Sequence, residues 1–250
     1  MRNRLDKLLF ERGLAPSRER AQALILAGRV LVNQQKIEKP GAAIEESAEL
    51  RVLGQEQRYV SRGGLKLEAA LTHWHIDLTG RHCVDIGTST GGFTDCMLQH
   101  GAAAVFAVDT GYGQVAETLR TDPRVTLLER TNARYLQPGD LPANLSFVSM
   151  DVSFISATLV LPAVLHAARA NNPNPLETVI LVKPQFEAGR EAIGKGGIVH
   201  DPAAHRFAID RVRQALEQLG ATATELIDSP ILGGGEGAKG NREFLLYSRF

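Results

Sequence analysis

The apolar positions of this chain fall into two unlike patterns. From Leu5 to Val32 they are sparse. Leu5, Leu8 and Leu9 repeat at i, i+3 and i+4, which predicts a short amphipathic helix, and Gly13 supplies a left-handed stop for it. Ser17 is placed to open a second helix as its N-cap, and Ala21, Leu24 and Ile25 form the apolar stripe. Gly28 closes that helix ahead of the alternating Val30 and Val32, which read as a strand. From residue 82 onward, short apolar runs alternate with helical periods. Strands are predicted at 82–86, 104–108, 125–128, 147–150, 178–182, 223–227 and 243–247, and helices at 92–100, 114–120, 157–170 and 202–219. Such alternation predicts an α/β domain, a mostly parallel, Rossmann-like sheet doubly wound with helices. The glycine-rich stretch 233–240 between the last two strands predicts an antiparallel closing hairpin. A polar, turn-prone segment over 54–64 separates the patterns. The expected organisation is a small α+β domain at 1–57, a linker at 58–63 and the larger domain at 64–250.

Composition adds a contrast between these parts. The 250 residues are 44% hydrophobic and 22% charged, as in ordinary globular proteins, and Lys+Arg 28 balances Asp+Glu 28. Residues 1–44, however, carry nine basic side chains against four acidic ones, a local charge of +5 that points to a basic binding module. Arg18 and Arg20 fall in the first turn of the second helix, where the macrodipole disfavours cations by about 0.3–1 kcal/mol each, so an anionic partner is expected. No apolar run reaches the roughly 18 residues of a membrane helix, and residues 1–13 lack a signal peptide's apolar block, so a cytoplasmic location is expected. Cys83 and Cys96 read as packing residues. The seven histidines lack zinc-ligand spacing, and no metal is expected.

The strand at 82–86 runs into Asp85-Ile86-Gly87-Thr88-Ser89-Thr90-Gly91-Gly92-Phe93-Thr94, a glycine-rich turn entering a helix. In an open α/β sheet this is where ligands bind. A dinucleotide fingerprint would need glycine where Ser89 stands. A nucleophile elbow matches Gly87, Ser89 and Gly91 in spelling, yet it belongs on a strand deep in the sheet, not on the first strand of a domain. The third reading is an S-adenosylmethionine site bracketed by Asp85 and by Asp109 at the end of the next strand, near the roughly 20-residue interval of a ribose-binding carboxylate. A P-loop reading of residues 189–196 fails because glycine follows Lys195 where the magnesium hydroxyl belongs.

Three further segments carry charge at the ends of apolar runs: 59–67, 149–156 with Asp151, and 181–187 with Lys183. A lysine closing an apolar strand and followed by proline reads as a group aimed into the site, where α/β enzymes place their reactive residues.

The first 50 or so residues resemble the S4-type RNA-binding domain through Arg4-Leu5-Asp6, Ser17-Arg18, Ala21, Ile25, Gly28-Arg29-Val30, Val32-Asn33 and Lys39-Pro40, with Gln34 where a turn glycine is common. Over nearly its whole length the chain resembles the TlyA family of ribosomal RNA ribose 2′-O-methyltransferases, historically called haemolysins, and more broadly the FtsJ-like group. The matching segments are 59–66, 87–94, 109–114, 129–134, 151–156, 183–187 and 196–201. The resemblance implies a Lys-Asp-Lys-Glu tetrad at Lys66, Asp151, Lys183 and Glu243. It implies an S-adenosyl-L-methionine site at Asp85, Gly87, Ser89, Gly91, Gly92, Phe93, Thr94, Asp109, Asn132 and Asp151. It also implies RNA contacts at Arg4, Arg18, Arg20, Lys36 and Arg62, with a cytidine of ribosomal RNA or a ribosomal subunit as substrate.

A lysine can take the ribose proton only as the neutral amine, whereas the ordinary lysine pKa is about 10.4. Lys183 is expected to serve as general base or hydroxyl anchor, Asp151 and Glu243 to orient it, and Lys66 to position the ribose. A non-catalytic S4-type RNA-binding protein would leave the tetrad unexplained, and a membrane-active haemolysin would need amphipathic or apolar membrane segments beyond the short run at 105–108.

Overall fold

The computed structural model describes residues 2–15, 17–53, 58–170, 172–233 and 240–250. The chain divides into two compact units, Met1–Gln57 and Arg58–Phe250.

The first unit runs β1 (Arg2–Arg4), α1 (Leu5–Glu11), α2 (Arg18–Leu26), β2 (Val30–Val32), β3 (Gln35–Lys36), β4 (Ala43–Glu45) and β5 (Leu50–Val52). Both helices form as the spacing predicts. Ser17 caps α2 by accepting from the Arg20 N–H at 3.2 Å, while Gly13 and Gly28 take positive φ after the helices. The strands pair as β1 with β4 and as a three-stranded sheet β3-β2-β5, all antiparallel. Leu5, Leu9, Ala21, Leu24, Ile25, Val30 and Val32 form the core.

The second unit runs α3 (Gly63–His73), β6 (His82–Ile86), α4 (Gly92–Gln99), β7 (Ala104–Val108), α5 (Glu117–Arg120), β8 (Val125–Leu128), β9 (Leu145–Met150), α6 (Leu161–Arg169), β10 (Glu177–Val182), α7 (Pro184–Glu187), α8 (Pro202–Gln218), β11 (Ala223–Asp228) and β12 (Phe244–Arg249), with short 3₁₀ turns between. The strand order is β11-β12-β10-β9-β6-β7-β8, a seven-stranded sheet. Neighbours from β10 to β8 are parallel, and β12 lies antiparallel between β10 and β11. The mostly parallel sheet and its closing antiparallel pair follow the expected α/β plan. Residues 234–239 of the predicted hairpin stretch and 54–57 of the predicted turn segment lie outside the described residues.

Two apolar layers cover the sheet. Leu67, Leu71, Phe93, Cys96 and Met97 from α3 and α4 pack on one face. Val164, Leu165, Ile209, Val212 and Leu216 from α6 and α8 pack on the other. Cys83 and Cys96 are buried, and desolvation pushes both thiols up to about 12, as inert packing residues require. The expected helix over 157–170 is instead a 3₁₀ turn, Ala157–Leu159, followed by α6, with Pro162 in the first turn of α6. The segment expected to link the units belongs to the second one. Tyr59 is buried in its core, and α3 begins at Gly63 within that stretch. Gly64 lets the helix approach Tyr59, since a Cβ there would sit 2.3 Å from the ring.

Candidate active site

The sheet order reverses between β6 and β9, the place where an open α/β sheet forms a crevice beyond its strand ends. Two chain segments meet there. The Asp151 N–H donates to the Ile86 carbonyl at 2.8 Å, and Gly87 has φ +84° with its α-carbon against the Asp151 carbonyl. A Cβ on Gly87 would lie 2.5 Å from that oxygen, so only glycine fits. Below, Asp85 is fully buried. Its Oδ2 accepts from Thr94 Oγ1 at 2.6 Å and its Oδ1 from Ser149 Oγ at 3.3 Å. Burial pushes the Asp85 carboxyl up to about 7, partly opposed by the Thr94 hydrogen bond and reinforced by the charge of Asp151. Asp85 and Thr94 therefore form the floor of the crevice and line neither of its bays. Gly91, which caps α4 at φ +100°, packs on Leu119 and also lies outside them.

One bay, about 490 Å³, opens over the ends of β6, β7 and β9 and is lined by Gly87, Ser89, Asp109, Gln114, Asn132 and Asp151, among others. Asp109 is held by two backbone donors: Ser89 N–H reaches Oδ2 at 2.7 Å and Gly111 N–H reaches Oδ1 at 2.7 Å. Ser89 adopts φ +51°, a conformation uncommon for residues other than glycine, and thereby aims its N–H at Asp109. Asn132 caps the 3₁₀ turn Ala133–Tyr135 by accepting from the Arg134 N–H at 3.1 Å.

The second bay, about 320 Å³, shares Gly87, Ser89, Asp151 and Ser153 with the first, so the two form one crevice. Its walls include Arg62, Lys66, Gly92, Phe93 and Lys183. Lys66, on α3, pairs with Glu243, just before β12, at 2.5 Å; both side chains are nearly out of solvent. Lys183, at the end of β10, approaches Asp151 Oδ1 at 2.6 Å and donates to Ser153 Oγ at 2.7 Å. The approach to Asp151 is an ion pair off the hydrogen-bonding direction, because that oxygen accepts no aligned hydrogen bond. All four expected tetrad members thus gather as two ion pairs, with Lys66, Asp151 and Lys183 on the crevice wall.

Sequence reasoning missed several neighbours. Ser61 lines the second bay, and Ser153 meets Lys183. Phe154 is 92% exposed with φ +65°, beside Phe186 at 5.4 Å between ring centroids. Phe154 had a usable signal, an aromatic residue shortly after Asp151 in a polar loop that follows a strand; Ser61 had none.

In the first unit the anion expected near Arg18 is Asp6. It is fully buried and accepts from Arg4 at 3.0 and 2.9 Å, Arg18 at 3.2 Å, Gln22 at 2.8 Å and the Lys7 N–H at 2.9 Å. The Arg4 hydrogen bonds hold its carboxyl well below the ordinary range. Lys36 pairs with Glu38 at 2.9 Å in solvent. Arg20 lies in the first turn of α2.

Comparison with known proteins agrees with both units. The FtsJ-like methyltransferase family model matches residues 59–250, and the S4 domain model matches residues 3–50. The chain is 43% identical over 249 residues to the 16S/23S rRNA (cytidine-2′-O)-methyltransferase TlyA of Mycobacterium tuberculosis, covering 99% of this chain and 90% of that protein. The chain belongs to the TlyA family of FtsJ-like methyltransferases. A second relative, YqxC of Bacillus subtilis, is 47% identical over 247 residues, 98% of this chain and 85% of that protein. A solved Streptococcus thermophilus structure bearing a hemolysin name matches at 43% identity with a TM-score of 0.71, covering 99% of this chain and 88% of that one. Among the described residues, no helix of this TlyA-family chain is long and apolar enough to cross a membrane.

Proposed function

We propose that this chain transfers the methyl group of S-adenosyl-L-methionine to the 2′-hydroxyl of a cytidine ribose in ribosomal RNA. The observation that carries the reading is the two ion pairs, buried Lys66 with Glu243 and Lys183 with the partly exposed Asp151, on a crevice continuous with the Asp109 bay. The name of the Mycobacterium relative supports the substrate, and the S4 match supports an RNA partner.

The residues present suit the cofactor. A bay of about 490 Å³ is within the range of roughly 300–1,000 Å³ common for small-molecule sites. Asp109 keeps acceptor capacity beyond its two backbone donors and would take ribose hydroxyls, with Asn132, Ser89 and Gly87 lining the same space. When bound, S-adenosylmethionine supplies the electrophilic methyl. Lys183, once its amine has given up its own proton to solvent, would meet the 2′-hydroxyl and take up that hydroxyl's proton as a neutral base. Asp151 and Ser153 hold the Lys183 Nζ, and Glu243 holds Lys66 where it orients the ribose. Exposed Phe154 supplies an apolar face for the base at the crevice rim. Arg4, Arg18, Arg20 and Lys36 in the first unit, with Arg62 in the second, provide phosphate contacts.

Incubating the purified protein with ribosomal subunits and methyl-labelled S-adenosylmethionine tests the reading. Label is expected in RNA as a ribose 2′-O-methyl group; label confined to a base, or none, rejects it.

A further inference from the structure

The segment from Asp151 to Ala157 joins the end of β9 to the following 3₁₀ turn and is held at both ends. Near its start, Lys183 pairs with Asp151 and donates to Ser153. At its far end the Glu187 side chain takes two donors: Ser156 Oγ reaches Oε2 at 2.5 Å and the Ala157 N–H reaches Oε1 at 2.7 Å. Glu187 is the last residue of α7, a turn that starts immediately after Lys183. A closed ring results. It runs from Lys183 across to Ser153, along the chain to Ser156, across to Glu187, and back through α7 to Lys183.

Two features mark this ring as more than packing. Glu187 is only 2% exposed, and its hydrogen bonds come from neutral donors; burial pushes its carboxyl upward, opposed by those two bonds and by Arg211. Leaving a carboxylate in such a place is costly unless its acceptances are needed. Within the ring, Phe154 holds φ +65°, a conformation a bulky residue keeps only where its surroundings fix it.

We infer that Glu187 is a positioning residue for methyl transfer: by tying Ser156 and Ala157 to α7, it keeps Asp151 and Ser153 in register with Lys183. The inference rests on the proposed reaction. Glu187 itself does not line the crevice.

The test is steady-state methyl transfer to ribosomal RNA by the full chain and by Glu187→Ala, Glu187→Gln, Ser153→Ala and the Glu187→Ala/Ser153→Ala double variant, with S-adenosylhomocysteine affinity measured by calorimetry. Glu187→Ala is expected to lower kcat roughly 10- to 100-fold, the scale of a small misplacement of catalytic groups, and to lower cofactor-product affinity less. Glu187→Gln should restore most of the rate, because its carbonyl accepts from Ala157 and its amide donates to Ser156. The double variant should lose less than the product of the single losses, as expected of groups acting through one another. Wild-type kcat in a folded Glu187→Ala variant overturns the inference. So does a glutamine variant no better than alanine, or fully multiplicative losses. If Glu187→Ala does not fold, Ser156→Ala decides: a reduced kcat supports the positioning role, and an unchanged one removes it. A wild-type protein that methylates no ribose would instead overturn the proposed reaction.

Discussion

Arg4 and Arg18 in the first unit and Lys66 and Lys183 in the second are all cations paired with carboxylates, yet their surroundings are opposite. The two arginine side chains are 54% and 46% exposed and share one buried anion, Asp6. The two lysine side chains are each 10% exposed, and each has its own carboxylate. A buried carboxylate beneath exposed guanidinium groups fixes their bases while leaving much of each group facing water. There, charge acts over about the Debye length of 8 Å and suits a phosphate backbone. A buried lysine pair has little reach but a fixed position, and removing one partner leaves an uncompensated charge. On the proposed function, the first arrangement serves affinity and the second serves chemistry at one point.

That contrast breaks most visibly at Lys183. Lys183→Ala should lower single-turnover methyl transfer by at least about 10²-fold, the lower range for acid–base catalysis, while leaving RNA and S-adenosylhomocysteine bound. Lys183→Arg is informative because arginine cannot give up its proton in a protein; full activity in that variant would make the residue an electrostatic anchor. Asp109→Ala should cost about 1.5–3 kcal/mol of cofactor affinity in calorimetry, the range for hydrogen bonds to a charged group, and should leave RNA affinity alone.

Charge reversal at Arg18 and Arg20 should do the converse. Ribosomal RNA affinity should fall, and the slope of log affinity against log salt should become shallower by about one for each phosphate no longer neutralised, with cofactor affinity intact. An unchanged slope would mean that Arg18 serves Asp6 alone and that the RNA-reading surface lies elsewhere.

The contrast extends to pH, and here the units have opposite signs. Asp6 is held below its ordinary pKa by the Arg4 hydrogen bonds, so its stabilisation is present above about pH 4 and is lost as pH falls. Asp85 is raised to about 7 by burial, so between about pH 4 and 7 the folded protein holds a proton that the unfolded chain releases, and stability declines as pH rises through that window. Urea midpoints across pH should show Asp85→Asn flattening the neutral side of the profile and Asp6→Asn flattening the acid side. A neutral-side slope that survives Asp85→Asn would assign it to another group.

Much of the second unit was legible because buried parallel strands spell themselves as short apolar runs, and the predicted strands at 82–86, 104–108 and 125–128 match β6, β7 and β8. Helix α3 was not. Gly63 and Gly64 read as a turn, and the close approach of Gly64 to Tyr59 is a tertiary fact. Strands β1 and β4 were hidden as well, since such three-residue strands with exposed, charged ends at Arg2 and Glu45 carry no apolar alternation. For the site, the resemblance supplied all four expected tetrad residues; the structure brings Lys66, Asp151 and Lys183 to one crevice and sets Glu243 behind Lys66. The resemblance did not tell wall from floor: it places Asp85 and Thr94 among the cofactor contacts, whereas both side chains are fully buried and support the turn from below. Ser153 and Glu187 were missed because their partners lie about thirty residues away in sequence, a separation that no local pattern records.

The central claim, that the paired lysines serve ribose methylation on RNA bound by the basic first unit, is tested most directly by mapping 2′-O-methyl groups in ribosomal RNA. Ribosomal subunits lacking the modification would be incubated with S-adenosylmethionine and either wild-type protein or Lys183→Ala. A 2′-O-methylcytidine that appears with the wild type and is absent with the variant is the predicted result. An unchanged methylation map with active, folded wild-type protein would contradict it.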